Sequence, residues 1–478
     1  MSLIAPQDSA FLLGESAAQP THVAGLAVYE LPPGADPDYV SRLYHDLLTH
    51  TAIRPRLRQR PADPVGSLGN IWWTEEHDID LEYHVRLAAL PRPGRVRELL
   101  ELVSRLHGQM LDRHHPLWEF YLIEGLEGGR FATYTKIHHA LYDGVASTQL
   151  LTNWLSSDPD FRGTTPWWSV EHQRPSETKK EQNGGGPLGV AGRVIRGAGQ
   201  TARLAGDVAG MASPAGKLAA RGLRRQATGL PYRAPRTILN TSITGSRRFA
   251  AQQWPLERIK SAGAAHNATV NDVVLAMCAG ALRRYLIEQD ALPSSALTAG
   301  VPVSLRSLGA FGDSGNAVGI VPCNLSTQLA DPHRRLAEIM ASMNSAKAQL
   351  ATQSTLQTQL LTGLIATGPL LATHVPGVAD LAPASVNLII SNVPGPREPL
   401  YWDGVRMQGM YPLSVPQQGQ ALNITVVSYA GQLNFGLTGC RRRLPHLQHM
   451  LTYLEDSLAE LETAKARAVG NAGTFRAY

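Results

Sequence analysis

Two adjacent histidines followed by an aspartate and a glycine are the sharpest chemical signal in the sequence. His138, His139, Asp143 and Gly144 form the pattern HHxxxDG at the end of a predicted strand. A neutral imidazole, whose ordinary pKa is about 6.5, can take a proton from an alcohol and return it to a thiolate. The pattern therefore indicates acid–base catalysis, in which His139 can serve as base and then as acid. We expect Asp143 to hold the loop by pairing with a basic group, and Gly144 to leave room for a ligand or a tight turn.

The two histidines are predicted to have different roles. Adjacent residues of a strand point to opposite faces of the sheet, so His138 and His139 would not chelate one metal ion. The sequence also lacks the HExxH spacing of a zinc site, and we predict no metal. One histidine is expected to reach an active channel while the other packs or hydrogen-bonds in the interior. A surface pair of histidines is the alternative.

A covalent intermediate is not indicated by the sequence. It contains no GxSxG motif, and Cys278, Cys323 and Cys440 lie in apolar or strand-like settings rather than beside a histidine. Direct transfer within a complex of both substrates is the simpler mechanism. An oxyanion formed on the way needs a hydrogen-bond donor, and Asn271 at a predicted helix start is the candidate. The alternative is that Asn271 is a plain cap or turn residue.

Composition limits the class and the location of the protein. The 478 residues exceed what one core usually serves, and 43% hydrophobic with 17% charged residues is typical of a globular protein. The N-terminus lacks a signal-peptide pattern, the cysteines are widely spaced, and no apolar run reaches about 18 residues, so we expect a cytoplasmic protein without membrane spans. The net charge of +5 suits a CoA phosphate, an anionic lipid surface or nucleic acid. Nucleic acid is disfavoured, because the basic residues are not interleaved with aromatics.

Patterns of helices and strands predict an α/β protein with two domains and a linker. The predicted domains are 1–170 and 237–478, and the linker 171–236 is basic and rich in glycine and alanine. In the first domain, residues 118–125 and 130–138 are predicted to form a hairpin. Gly128 and Gly129 permit the positive φ angles that its short turn needs. This hairpin would deliver the two histidines to a strand end.

Helices and further strands are predicted from apolar periodicity. Helices are expected at 36–48, along the apolar stripe 99–110, at 270–285, from Asp331-Pro332 onwards, and at 444–468. Strands of the second domain are expected at 297–305, 318–325, 386–391, 422–429 and 432–438. Both domains therefore mix helices with strands.

Four motifs together resemble one family. They are HHxxxDG, the run Leu111-Asp112-Arg113-His114-His115-Pro116-Leu117-Trp118-Glu119, the pair Asn271-Asp272, and Ser391-Asn392-Val393-Pro394-Gly395-Pro396. Over nearly its whole length the chain is similar to bacterial wax ester synthase/acyl-CoA:diacylglycerol acyltransferases. HHxxxDG alone specifies only their CoA-dependent acyltransferase superfamily, which includes chloramphenicol acetyltransferase and the condensation domains of peptide synthetases. The other motifs narrow the resemblance to the lipid-making branch.

The resemblance implies both a fold and a reaction. The fold would be two chloramphenicol-acetyltransferase-like domains with a substrate tunnel between them. A long-chain acyl group would pass from acyl-CoA to diacylglycerol or to a long-chain alcohol, with His139 as general base. Acyl-CoA would be a substrate, and no cofactor is expected. An arginine of the first domain would pair with Asp143; Arg54 is expected, with Arg58 and Arg306 as alternatives.

Three further segments carry predictions. His114-His115 are predicted to be structural, because a helix end and Pro116 flank them. The arginines 441–443 could grip CoA phosphates or form a solvated strand end, and both remain open. The segment 190–236 contains recurring basic and apolar residues, so it is predicted to hold the protein on a membrane or lipid-droplet surface. A flexible linker is the alternative for that segment.

Two rival functions remain. One is a superfamily relative that acylates a different hydroxyl or an amine, and the lipid-branch motifs argue against it. The other is a non-catalytic lipid-binding protein that keeps the fold. The intact His139, Asp143 and Gly144 argue against that second rival.

Overall fold

Two six-stranded sheets and a smaller three-stranded sheet organise the protein. In a computed structural model of the chain, the described residues are 2–62, 72–170, 234–304, 318–352 and 384–472. Both large sheets belong to one compact unit. Most of the predicted linker 171–236, and almost all of the predicted membrane segment 190–236, lies outside the described residues.

Sheet A combines strands from both ends of the chain. Its strands are β2 (His22–Glu30), β5 (Val85–Ala89), β6 (Trp118–Leu126), β7 (Arg130–His138), β12 (Tyr401–Trp402) and β13 (Val405–Leu413). They are arranged in the order β12-β13-β2-β7-β6-β5. The three-stranded sheet consists of β1 (Ser2–Leu3), β3 (Gln59–Pro61) and β4 (Trp72–Glu75), with β4 in the middle.

The predicted hairpin supplies two neighbouring strands of sheet A. β6 and β7 pair antiparallel, with Trp118 opposite Ile137. Gly128 and Gly129 adopt φ angles of 75° and 64° in the turn, which is the backbone region that favours glycine. The prediction of a hairpin that ends at the histidine pair is therefore confirmed.

Sheet A also takes in strands that lie far along the chain. β13 pairs antiparallel with β2, so that Leu413 lies opposite Ala24. Trp402, on the short edge strand beside β13, packs into the same hydrophobic cluster as Tyr29 and Trp118. Residues of the predicted second domain thus complete the sheet that carries the histidines.

Sheet B is built entirely from residues after the predicted linker. Its strands are β8 (Arg247–Pro255), β9 (Thr298–Ser304), β10 (Val318–Asn324), β11 (Leu388–Val393), β14 (Leu422–Tyr429) and β15 (Gln432–Cys440). Their order is β10-β9-β11-β14-β15-β8, and β11 is parallel to both of its neighbours. The parallel pairing buries β11 in the middle of the sheet, as its apolar Leu388 and Ile390 require.

The helices cover the sheets. They are α1 (Pro6–Leu13), α2 (Tyr39–Thr49), α3 (Leu81–His84), α4 (Val96–His107), α5 (Gly144–Asn153), α6 (Leu256–Ala264), α7 (Val270–Glu288), α8 (Pro332–Thr352) and α9 (His449–Ala472). A short 3-10 helix spans Pro55–Arg58. α7 is apolar on nearly all sides and lies in the core beneath sheet B, where Val273, Met277 and Leu282 are fully buried.

Two predicted helix boundaries are wrong for identifiable reasons. α4 ends at His107, so Met110 of the predicted stripe lies outside it; Gly108 follows, where any Cβ would meet the backbone oxygen of Gly245 at 2.7 Å. The last helix begins at His449 rather than at 444. His446 has a φ of 53°, which a right-handed helix cannot contain.

Candidate active site

A cavity of about 560 Å³ is lined by residues of both large sheets. Residues of sheet A and of the helices beside it form one wall, which includes Gly25, Thr135, Ile137, His139 and Met410. The facing wall belongs to sheet B and comprises Pro302, Ile320, Ile389, Ser391, Val393, Asn423 and Thr425. Most of these side chains are apolar, so the cavity suits a ligand with a hydrocarbon portion.

Strand alternation separates the two motif histidines. Thr135, Ile137 and His139 line the cavity. Lys136 and His138 point to the opposite side of β7, where both are fully buried. The expectation that one histidine reaches the channel while the other is held in the interior therefore agrees with the geometry, and His139 is the one that reaches it.

His139 is held in a fixed orientation. Its ring stacks on Phe11 with the centroids 4.0 Å apart and the planes 12° from parallel. Its backbone N–H donates to the carbonyl of Thr21 at 3.0 Å.

The cavity keeps His139 neutral. Burial lowers its pKa to about 4, although the Asp143 carboxylate and the hydrogen bond to the backbone carbonyl act in the opposite direction. At neutral pH the imidazole is therefore unprotonated. That is the form that can accept a proton.

His138 belongs to a buried polar network. Its Nδ1 accepts a hydrogen bond from the backbone N–H of Ala140 at 3.1 Å. Its Nε2 lies 3.0 Å from the hydroxyl of Thr21 and 3.5 Å from the carboxylate of Glu15. Arg113 donates to the same carboxylate at 3.0 Å. Burial by itself would raise the pKa of Glu15, but its charged and hydrogen-bonding neighbours outweigh that effect and hold the pKa at about 2.

This network also holds the residues that touch His139. The Thr21 hydroxyl donates to the backbone carbonyl of Phe11 at 3.0 Å. Arg113 donates to the carbonyl of Leu12 at 2.6 Å, next to the phenylalanine that stacks on His139. The buried network therefore anchors the end of α1 and orients the imidazole from behind.

Asp143 acts as a helix cap. Its carboxylate accepts the backbone N–H of Ala146 at 2.7 Å, which satisfies an otherwise unpaired donor at the start of α5. Within the described part of the chain, Asp143 makes no ion pair. The expected partner Arg54 donates to the carbonyl of Ser169, and Arg58 donates to those of Glu76 and His77.

Among the described residues that line the cavity, the arginine is Arg56, two residues beyond Arg54. Its guanidinium donates to the carbonyl of Leu141 at 3.1 Å and so supports the loop between His139 and Asp143. Asp8 of α1 lies close by; burial raises its pKa, Arg56 lowers it and the Asp143 carboxylate raises it. Arg306, the other alternative, lies outside the described residues.

Gly144 and Asn271 differ in how they relate to the cavity. Gly144 lines it, and a Cβ placed there would meet nothing within 4 Å, so the glycine leaves open space for a ligand. Asn271 lies in the first turn of α7 and is not among the described lining residues. That turn is closed by a capping box between Thr269 and Asp272. The structure therefore does not bring Asn271 to His139 as an oxyanion donor.

Several polar lining residues were missed from the sequence. Asn423 and Thr425 are two residues apart on β14, so they face the same side, and the Thr425 hydroxyl donates to the Asn423 amide oxygen at 3.0 Å. Ser391 belongs to the motif Ser391-Asn392-Val393-Pro394-Gly395-Pro396, but its position in a cavity wall was not predicted. The alternation of both strands could have shown which residues share a face, but not which face borders the cavity.

Other candidate groups lie away from the cavity. His115 stacks on Tyr83 with ring centroids 3.8 Å apart, which fits a structural role. Arg443 donates to the carbonyl of Ser242, while the side chains of 441–443 are exposed. The three cysteines are free and buried, and burial raises the pKa of Cys278 and Cys323 to about 12. In the described ranges, no cluster of three or more histidine, cysteine, aspartate or glutamate side chains could hold a metal ion.

Comparison with known proteins identifies the family. The family model described as the wax ester synthase/diacylglycerol acyltransferase catalytic domain matches residues 4–274, and the WS/DGAT C-terminal domain matches residues 314–462. A Mycobacterium tuberculosis protein named "Probable diacylglycerol O-acyltransferase tgs2" is 47% identical over 468 residues, which cover 97% of this chain and 99% of that relative.

Comparison with solved structures indicates the same family. The wax ester synthase/diacylglycerol acyltransferase from Marinobacter aquaeolei VT8 is 39% identical and aligns with a TM-score of 0.74, covering 97% of this chain and 99% of that one. The starter condensation domain of rhizomide synthetase RzmA shares the fold, with a TM-score of 0.52 at 13% identity over 96% and 94% of the two chains. The chain therefore belongs to the wax ester synthase/diacylglycerol acyltransferase family, and the family and fold class inferred from its motifs are confirmed.

Proposed function

We propose that the protein transfers a long-chain acyl group from acyl-CoA to the hydroxyl of diacylglycerol or of a long-chain alcohol. The observation that carries this proposal is a neutral imidazole, His139, at the wall of a largely apolar cavity. The names of its relatives support the same reaction. Acyl-CoA is a substrate in this reaction, and the chain needs no bound cofactor for it.

The proposed chemistry begins with proton removal. Nε2 of His139 takes the proton of the acceptor hydroxyl as its oxygen attacks the thioester carbonyl carbon. The resulting tetrahedral oxyanion collapses, the carbon–sulfur bond breaks, and the CoA thiolate receives the proton from the imidazolium. Ester and free CoA are the products. The stacking on Phe11 keeps the imidazole in a fixed orientation at the cavity wall.

Asn423 is the proposed donor of a hydrogen bond to the reacting carbonyl oxygen. Its amide oxygen already accepts from Thr425, so its NH₂ group remains to donate into the cavity. It lines the same cavity as His139, from the wall of sheet B. A donor in that position would stabilise the oxyanion that forms during attack.

The proposed substrates place the enzyme at a lipid surface. No helix among the described residues is long and apolar enough to cross a membrane. Diacylglycerol and triacylglycerol are insoluble in water, so we propose that the protein works in the cytoplasm and associates peripherally with a membrane or a lipid droplet. The net charge of +5 would favour an anionic surface. Residues 190–233 of the segment 190–236, which would make this contact, lie outside the described residues.

Product analysis tests the proposal. Purified protein is given labelled palmitoyl-CoA together with diacylglycerol, hexadecanol and hexadecylamine in competition, and the labelled products are separated. We expect triacylglycerol, wax ester or both, and no amide. Amide as the main product would favour the rival superfamily activity. If the parent protein and the His139→Ala variant both bind the lipids tightly and neither forms product, the result would favour a lipid-binding protein.

A further inference from the structure

A second, much smaller cavity adjoins the main one. Its volume is about 10 Å³. The two cavities share four lining residues, Gly25, Thr135, Leu151 and Met410. The small cavity is otherwise lined by Ala27, Tyr29, Phe120, Thr133 and Trp154, none of which borders the main cavity. The four shared residues therefore form a partition between the two spaces.

The partition lies along β7 from the catalytic base. Thr135 precedes His139 by four residues and pairs directly with Gly25 of β2. Both Thr135 and His139 line the main cavity. Between them, Ile137 offers an apolar surface to that cavity.

Leu151 closes the partition above Gly25. A Cβ at Gly25 would lie 2.8 Å from the Cδ1 atom of Leu151, so the leucine side chain already rests against the bare backbone of β2. A strand residue with a side chain would push the leucine away. Gly25 thus lets α5 place Leu151 against β2, where it borders both cavities.

We propose that Leu151, seated on Gly25, is the floor of the site for the donor acyl chain and limits the chain length that the enzyme accepts. This inference rests on the proposed acyl transfer. A chain that starts at the thioester beside His139 and follows β7 reaches Thr135 and its partner Gly25, on which Leu151 rests. The small cavity behind the floor is space that a longer chain could enter once the leucine is removed.

The test compares kcat/KM for stearoyl-CoA with kcat/KM for palmitoyl-CoA, two donors that differ by two methylenes, using one soluble alcohol as acceptor. Leu151→Ala is expected to raise this ratio at least about tenfold, the scale on which apolar pockets discriminate chain length. Ala27→Val narrows the small cavity from behind. By itself it should leave the ratio unchanged, and in the Leu151→Ala background it should cancel most of the gain.

Leu150→Ala is the matched control. Leu150 is the neighbouring residue of α5, is buried in the core of sheet A and lines neither cavity. The Leu150→Ala substitution removes the same side-chain atoms as Leu151→Ala and should leave the ratio of the two kcat/KM values unchanged. Because each ratio is measured within one variant, a smaller folded fraction does not alter it.

Two outcomes would overturn the inference. One is an unchanged ratio in Leu151→Ala. The other is a variant whose preference for the length of the acceptor alcohol changes, measured with one acyl-CoA, while its preference for the length of the acyl donor does not change. If the parent enzyme makes no ester from any acyl-CoA, the proposed function itself fails, which is a different result.

Discussion

The two walls of the cavity carry different kinds of groups. Among the described lining residues, the ionisable side chains Asp8, Arg56, His139, Tyr142 and Asp143 all belong to the side of sheet A. The described lining residues of sheet B have apolar side chains or the neutral polar groups of Ser391, Asn423 and Thr425. Proton transfer therefore belongs to one wall, while the other can only shape the site and donate or accept neutral hydrogen bonds.

The largest expected effect is the loss of the base on the side of sheet A. His139→Ala should lower the rate of ester formation by about 10²- to 10⁴-fold, the usual contribution of a general base. The fold should survive, because the side chain borders open space. His138→Ala should reduce the rate less but lower the melting temperature more, since His138 is fully buried in the network with Glu15 and Thr21. Steady-state ester formation measures the rates, and thermal unfolding measures the melting temperatures. An active His139→Ala enzyme would assign the base to another residue.

The second effect is instability in acid that originates on the side of sheet A. Burial lowers the pKa of His84 to about 4 and that of His107 to about 3. In the unfolded chain, both groups bind protons near pH 6.5, so the unfolded state gains protons first as the pH falls. The two neutral histidines therefore contribute fully to the free energy of unfolding above about pH 6.5. This contribution is lost as the pH falls towards 4 and 3, at up to about 1.4 kcal/mol per pH unit for each group.

A variant tests the origin of this acid sensitivity. His107→Gln removes one such group, so the drop in melting temperature between about pH 7 and about pH 5 should be smaller than in the parent. His114→Gln, at an exposed histidine, is the control and should behave as the parent does. Equal drops in all three proteins would mean that His107 takes up its proton without unfolding the chain.

The fold was predictable where it is local and unpredictable where it depends on distant partners. The hairpin β6–β7 follows from apolar runs and a glycine turn, and it carries His138 and His139 to their correct places. β13 contains no local signal that it pairs with β2 rather than with a strand of sheet B. The sequence predicts two domains that share no sheet. In the structure, β13 of the predicted second domain pairs with β2 of the first.

The site shows the same division. His139 and Gly144 were placed at the cavity because strand alternation and motif spacing suffice. Arg54 was expected beside Asp143, yet Arg56 lines the cavity, because the two arginines straddle the start of the 3-10 helix Pro55–Arg58 and point in different directions. Which strand of sheet B faces His139 depends on how the sheets pack, and no pattern within β14 reveals it.

The next effect tests how the sheet A side holds its base. Glu15→Gln removes the buried charge that binds Arg113 and His138, and we expect a loss of about 1.5–3 kcal/mol in the free energy of unfolding, the usual scale for hydrogen bonds to charged groups. It should also lower kcat with little change in KM, because Glu15 positions His139 through Thr21 and Phe11 and touches no substrate. Glu101→Gln breaks an exposed pair with Arg97 and is the control, expected to change neither quantity. If the Glu15→Gln enzyme has the parental kcat, the buried network does not contribute to the reaction.

A smaller effect is expected from the wall of sheet B. Asn423→Ala should lower the rate about tenfold, because one neutral hydrogen bond to the reacting oxygen is worth about 1 kcal/mol or somewhat more. Asn271→Ala should leave the rate unchanged, since Asn271 is outside the described cavity lining. Single-turnover rates with the same acyl-CoA and alcohol compare the two variants. The opposite result, a loss for Asn271→Ala alone, would restore Asn271 as the oxyanion donor.

The smallest effect concerns Asp143, and it asks whether this aspartate acts as a cap or as one half of an ion pair. Asparagine caps a helix about as well as aspartate does, whereas alanine does not. If the hydrogen bond to the Ala146 N–H is its main role, Asp143→Asn should keep the parental stability and Asp143→Ala should lose about 1 kcal/mol. A buried ion pair would instead make both variants equally and severely unstable. The Asp143 carboxylate raises the pKa of His139, so removing its charge lowers that pKa further. The fall in activity at acid pH should therefore shift to lower pH in both variants, and a shift in neither would show that the Asp143 charge does not reach the base.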